Sequence, residues 1–154
     1  AAPSAFDPFA GKWSGVLEYK DFQGGGMVKV PVRLEVKTTD ASTANWYFNY
    51  DDFGKTVISD ETHSWKPDGS KSGKYTVKTK GKLEVQEFSS KDFDALVKAG
   101  FGKAILLGSE TEIGRKVEVR RTITFEKTKL MTLKETRGPG ETFMFRNQST
   151  YSRQ

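Results

Sequence analysis

The stretch "MVKVPVRLEVKT", Met27 to Thr38, constrains the chain more than any other. Val28, Val30, Val32, Leu34 and Val36 fall on one parity, and Met27, Lys29, Pro31, Arg33, Glu35 and Lys37 fall on the other. A period of two with one apolar and one polar face is a β-strand that is dry on one side and wet on the other. A helix would scatter these residues around its axis. Pro31 cannot donate to a ladder, and this predicts a bulge or irregularity there.

The same alternation runs through the chain. "KWSGVLEYK" places Trp13, Gly15, Leu17 and Tyr19 on one face, and the glycine-rich "DFQGGG" joins it to the next strand as a hairpin. In "TANWYFNYDDF", Trp46, Phe48 and Tyr50 share a face. "KTVISDETHSW", "KYTVKTK", "KLEVQEF", "KAILLG", "RKVEVRRTITFE", "KLMTLKET" and "ETFMFRNQSTYSR" follow, and "RGPG" is a strong turn signal before the last of them. One segment departs from the pattern. "SSKDFDALVKAGFG" offers Ser89 or Ser90 as an N-cap, Asp92 and Asp94 in the first turn and Gly100 as a stop, which predicts a helix of about two turns.

About ten short strands with regular turns and one short helix imply an all-β sandwich or barrel. A meander of hairpins favours an antiparallel up-and-down β-barrel, because closure removes exposed edges. The 154 residues suit one domain, with residues 1–10 as a flexible N-terminal segment and residues 11–154 as the barrel. Only 35% of the residues are hydrophobic but 12% are aromatic, so a few large side chains must fill the core.

Composition excludes several chemistries. There is no cysteine, hence no disulfide, thiolate nucleophile or cysteine metal site, and His63 is the lone histidine. "GKWSG" is not a nucleophile elbow, since its serine stands one place late, and "KAGFGK" lacks a P-loop glycine. Apolar runs such as "AILL" are too short to cross a bilayer. The opening "AAPSAFDPFAG" reads as a mature N-terminus, which gives an expectation of secretion or periplasmic export; a cloning remnant would look the same.

At the chain ends, "GKW" (Gly11, Lys12, Trp13) and the terminal "YSRQ" with Arg153 resemble the G-x-W signature and closing basic residue of the calycin superfamily of lipocalins and fatty-acid-binding proteins. The likeness is nearest to an uncharacterised bacterial lipocalin-like group. It implies that Trp13 plugs one end of the barrel, with Gly11 beside it and Arg153 lying across the indole. A guanidinium is suited to that place, since it can cover an aromatic face while donating to nearby carbonyls. The chain departs from the superfamily in lacking a long lid loop, paired helices after the first strand, disulfides and a late haem-binding histidine.

Arg121 shares parity with Val117, Val119, Ile123 and Phe125, which places a cation on the dry face. Such a charge needs a partner. Glu61 is a candidate, if Val57, Glu61, His63 and Trp65 face inward; Ile58 argues for the opposite phase. The alternatives for Arg121 are a structural ion pair, a bulge that turns it outward, or an anchor for an acidic ligand. Lys74, Lys78, Lys80 and Lys82 form a basic stripe on another hairpin, suited to solubility and edge protection or to an anionic surface.

Three functions are consistent with these residues. The leading one is a non-enzymatic barrel holding a small, partly apolar molecule, with no cofactor or metal. Leu17, Tyr19, Val32, Trp46, Phe48, Glu61, His63, Phe143 and Phe145 would line the pocket and Arg121 would anchor it; a pocket of about 300 Å³ or more is expected. The second is an interaction or structural module acting through its outer surface, by the lysine stripe or an exposed Tyr47, with nucleic acid disfavoured because no basic-aromatic motif accompanies the row. The third is an isomerase or cyclase using Glu61, His63 and Arg121 as an acid–base set.

Overall fold

The computed structural model describes residues 3–21 and 23–154. Ten strands close into one antiparallel barrel: β1 (Gly11–Lys20), β2 (Met27–Asp40), β3 (Thr43–Asp52), β4 (Lys55–Pro67), β5 (Gly73–Thr79), β6 (Val85–Ser90), β7 (Gly102–Glu112), β8 (Arg115–Glu126), β9 (Lys129–Arg137) and β10 (Met144–Arg153). Each strand pairs with its sequence neighbours, and β1 pairs with β10 to complete the ring. Closure leaves no free edge. The wall is thinnest where β6 meets β7, whose pairing comprises Phe88 with Gly108 and Ser89 with Leu107.

The up-and-down order sorts the connections between two ends. Those after β1, β3, β5, β7 and β9 lie at one end, called here the mouth. The β2–β3, β4–β5 and β8–β9 turns and the helix α1 (Phe93–Ala99) lie at the other. Gly100 stops the helix in a left-handed conformation (φ 78°), with its N–H donated to the Leu96 carbonyl. The predicted N-cap is half right. Ser90 belongs to β6, yet its Oγ accepts from Phe93 N at 3.1 Å.

Inward parity carries the core. Val30, Val32, Leu34, Val36, Trp46, Tyr75, Leu106, Val119, Phe125 and Tyr151 are all buried, and Lys29, Pro31, Arg33 and Lys37 face out. Pro31 makes no bulge. It stands in register opposite Val16 and one residue beyond the end of the β2–β3 pairing, where a missing donor is tolerated; the irregularity in β2 lies at Thr38–Asp40 instead.

The N-terminal segment requires correction. Asp7–Phe9 form a 3-10 turn, and Phe6 and Phe9 are completely buried in the barrel core. Residues 4–10 are therefore part of the closed end rather than a flexible lead-in, while residues 1 and 2 lie outside the described residues. The reason is volume. Trp13 cannot fill the end of a ten-stranded ring alone, and Phe9 packs against Trp46, Phe93 and Phe125 at ring-centroid distances of 5.8, 6.1 and 4.8 Å.

Candidate functional site

The closed end is built around Trp13. Its partner across the β1–β10 seam is Arg153, whose guanidinium carbon lies 4.2 Å from the indole centroid. The same guanidinium donates to the carbonyls of Lys127 (2.8 Å), Ala10 (2.7 Å) and Pro8 (2.8 Å), and Trp13 Nε1 donates to the Phe9 carbonyl at 2.9 Å. Gly11 packs against this guanidinium; a Cβ there would stand 3.1 Å from Arg153 Nη1. Gly15 lets β10 come close: a Cβ there would meet the Thr150 carbonyl oxygen at 1.8 Å.

Toward the mouth the packing gives way to a cavity of about 210 Å³. Its apolar wall includes Leu17, Trp46, Phe48, Leu106 and Ile123, and its polar groups are Tyr50, Glu61, His63, Tyr75, Arg121, Thr132, Lys134, Asn147 and Ser149. An apolar pocket of about 190 Å³, lined by Leu17, Tyr19, Val30, Tyr50, Asp52 and Val57, adjoins it across Leu17 and Tyr50. The cavity falls below the roughly 300 Å³ expected of a ligand pocket, which counts against a small-molecule site of ordinary size within it alone; Trp46, Phe48, Tyr50 and Tyr75 occupy much of the interior.

The inward phase of β4 brings Glu61 and His63 into this space, while Ile58 faces out with 44% exposure. Trp46 stacks on the His63 ring at 4.5 Å with the planes 7° apart. His63 Nε2 lies 2.9 Å from Glu61 Oε1, His63 Nδ1 lies 2.5 Å from Tyr75 Oη, and Ser59 Oγ donates to Glu61 Oε2 at 3.0 Å. Burial holds the His63 pKa below its ordinary value, against the pull of Glu61. Burial alone would raise Glu61; the hydrogen bond from His63, the charge that ring carries when protonated, the hydrogen bond from Ser59 and the charge of Arg121 together outweigh it, and the carboxyl is lowered from its usual range. Tyr75 is pushed well up by burial and keeps its proton. These directions fix one proton arrangement: Tyr75 O–H donates to Nδ1 of a neutral imidazole, and Nε2–H donates to the Glu61 carboxylate.

Arg121 faces the cavity from β8, half-buried, with its guanidinium carbon 5.5 Å from the Phe88 ring centroid. Its charge acts on Glu61, His63 and Tyr50, yet it forms no ion pair with Glu61, and its buried Nε has no hydrogen-bond partner. Trp46 Nε1 is likewise buried without a partner. Nearer the mouth, Lys134 is held by Glu110 at 3.0 Å and Arg146 pairs with Glu112.

Of the residues predicted to line a pocket, Leu17, Trp46, Phe48, Glu61, His63 and Arg121 surround the cavity and Tyr19 lines the adjoining pocket. Val32 is packed into the core without touching either. Phe143 and Phe145 do not line the cavity, and the reason is a bulge. The β9–β10 register shifts between Phe145 and Asn147, so Phe145 stands opposite outward-facing Glu135. Phe143 packs with the guanidinium carbons of Arg120 and Arg137, 4.2 and 4.3 Å from its centroid. A single inserted residue reverses the face of everything before it.

Among the polar lining residues, the pattern missed Tyr50, Tyr75, Thr132, Lys134, Asn147 and Ser149. The signal for Tyr75 was present, since it stands on the parity opposite the lysine stripe. Lys134 is legible only from register, as the partner of Arg121 across β8–β9. Among the described residues, no three His, Asp or Glu side chains gather as a metal site, and no helix is long and apolar enough to cross a membrane.

No protein-family model matches the chain, and no curated protein matches it in sequence. Solved structures do. Rv2717c from M. tuberculosis superposes with a TM-score of 0.65 at 12% identity, covering 97% of this chain and 95% of that one. The S-type phycobiliprotein lyase CPES from Guillardia theta superposes with a TM-score of 0.63 at 13% identity, covering 97% and 90%. At these identities the likeness shows the fold alone: this chain shares the fold of both.

Proposed function

We propose that the chain binds a small, partly apolar molecule bearing an acidic or strongly hydrogen-bond-accepting group inside the mouth half of the barrel. One observation carries the reading. Among the described residues, two of the three buried side-chain nitrogen or oxygen atoms without a partner, Arg121 Nε and Trp46 Nε1, belong to cavity-lining residues, and both are donors. A buried donor left unpaired is costly, and a ligand oxygen is the group that would satisfy it. Glu61 and His63 do not meet this need, because they are committed to each other, to Ser59 and to Tyr75. The modest volume restricts the occupant to a compact aromatic or short aliphatic acid, or to a longer one that extends through the adjoining apolar pocket.

The test is native mass spectrometry of protein purified without denaturation, followed by titration with benzoate while tryptophan fluorescence is monitored. The expected result is saturable quenching, reduced at least tenfold in affinity by Arg121→Met in a protein that remains folded. Equal binding by Arg121→Met, or no binding by either protein to benzoate or longer aliphatic acids, would overturn the reading.

A second reading is proton transfer on the bound molecule. It is favoured by the Tyr75–His63–Glu61 chain, in which a neutral imidazole sits between a donor and a carboxylate at hydrogen-bond distance. A lyase of the same fold is an analogy only. Turnover that disappears with His63→Gln while ligand binding persists would support it.

A further inference from the structure

Phe53, Leu83 and Ile113 are the most exposed large hydrophobic residues described, at 83, 100 and 100%. They stand on three separate connections, β3–β4, β5–β6 and β7–β8, and the up-and-down order puts all three at the mouth. The next most exposed, Phe101 at 63%, lies at the closed end between α1 and β7, so the concentration at the mouth is a property of the three tips and not of every exposed apolar residue.

The backbone at two of them is a second observation. Phe53 (φ 53°) and Ile113 (φ 50°) are the non-glycine residues with positive φ among the described residues, each followed by a glycine with positive φ. Such turns favour Asn-Gly or Asp-Gly. A bulky aromatic and a β-branched side chain are poorly suited to the left-handed region. Neither side chain is buried against the barrel, so nothing within the chain compensates for the unfavourable choice.

We infer that the mouth docks on an anionic lipid surface, with Phe53, Leu83 and Ile113 entering the boundary between headgroups and acyl chains. The charges nearby fit such a surface. Lys80 and Lys82 precede Leu83, Lys55 follows the Phe53–Gly54 turn, and Lys116 follows Ile113 by three residues. Acidic residues also flank each tip: Asp52 precedes Phe53, Glu84 follows Leu83 and Glu112 precedes Ile113. Glu112 is paired with Arg146, Asp51 accepts from Gly54 N at 3.0 Å and Glu141 pairs with Arg115 at 2.9 Å, so the cationic excess lies at the β5–β6 connection, where Lys80 and Lys82 stand against the single Glu84. The spacing argues for lipid rather than protein. Single apolar tips on different hairpins, with charged residues between them, make no continuous patch for a shaped partner, whereas a fluid interface accommodates each tip independently. The outward strand faces, charged at Lys29, Arg33, Glu35 and Lys37, are unsuited to a membrane-spanning barrel. Docking in this orientation would turn the cavity mouth toward the bilayer; the inference rests on the tips and the lysines beside them and does not require an occupied cavity.

Flotation of the full chain with vesicles of phosphatidylcholine, alone or mixed equally with phosphatidylglycerol, tests this. The intact chain is expected to float with the mixed vesicles, more weakly with the neutral ones, and less as salt is raised. The triple variant Phe53→Asn, Leu83→Asn, Ile113→Asn is expected to lose about tenfold or more of that partitioning, because three apolar groups leave the boundary. Its melting temperature should be unchanged or higher, since asparagine suits the left-handed turns. Lys80→Ser with Lys82→Ser should weaken binding to the mixed vesicles only. Failure of the intact chain to float, undiminished flotation of the triple variant, or equal binding to both vesicle types would overturn the inference. So would a dimer in light scattering that the triple variant abolishes while neither protein floats, since the tips would then serve a second copy.

Discussion

Trp13 and Trp46 are both buried indoles on inward positions, and Arg153 and Arg121 are the cations nearest to them in role. The pairs end in opposite states. Trp13 donates to Phe9, and Arg153 covers the indole while donating to three carbonyls. Trp46 Nε1 and Arg121 Nε have no partner. The same alternation that packs one half closely leaves unpaired donors on two residues that line the cavity in the other half. Trp65 Nε1 shows that an unpaired indole can also occur beside the closed end, where Trp65 packs on Phe93. What distinguishes the mouth half is the coincidence of unpaired donors with space.

The largest effect expected from this contrast is on stability. Trp13→Ala removes a fully buried indole and the platform for Arg153, and should cost about 4 kcal/mol in urea unfolding. A loss below about 1 kcal/mol would mean that Phe6, Phe9 and Phe125 close the barrel without it.

The two arginines sharpen the comparison. Arg153→Met leaves the carbonyls of Pro8, Ala10 and Lys127 without their donor and should cost about 2–3 kcal/mol. Arg121→Met breaks no hydrogen bond and removes a poorly compensated cation, so its effect should stay within about 1 kcal/mol and can be stabilising. Equal losses in the two variants would show that Arg121 is a structural residue after all.

Much of this contrast was legible in the sequence, since β-parity assigns faces without knowledge of the partners. Counting from Val119 puts Arg121 on the inward parity, whereas the phase of β4 stays open in the sequence, because Trp65 turns Glu61 and His63 inward and Ile58 argues for the opposite choice. The plug was legible from Trp13 and Arg153 because an up-and-down ring must bring its ends together. Three things were not. Phe6 and Phe9 lie in a stretch too short to show a period, so their burial depends on the size of the hole beneath Trp13. The bulge at Phe145–Asn147 has no marker such as glycine or proline in "MFRNQ", yet it moves Phe143 and Phe145 to the outside. The unpaired state of the Arg121 Nε depends on side-chain distances across strands, which no pattern along one strand contains.

The smallest effect is a pH dependence confined to the mouth half. Burial keeps the His63 pKa in the folded protein below its unfolded value near 6.5, so the unfolded chain takes up this proton first. Stability contributed by the neutral imidazole is therefore complete above that value and is lost as pH falls toward the folded pKa. Glu61, also lowered, acts in the same direction at more acidic pH, below its unfolded value of 4.5. One proton limits the slope to about 1.4 kcal/mol per pH unit. His63→Gln can still accept from Tyr75 and donate to Glu61 but cannot titrate. Urea unfolding at about pH 7.5 and about pH 5.5 should therefore show a smaller acid loss in this variant than in the intact chain. An identical loss in both proteins would place the acid-sensitive group elsewhere and would remove the support for a neutral imidazole between Tyr75 and Glu61.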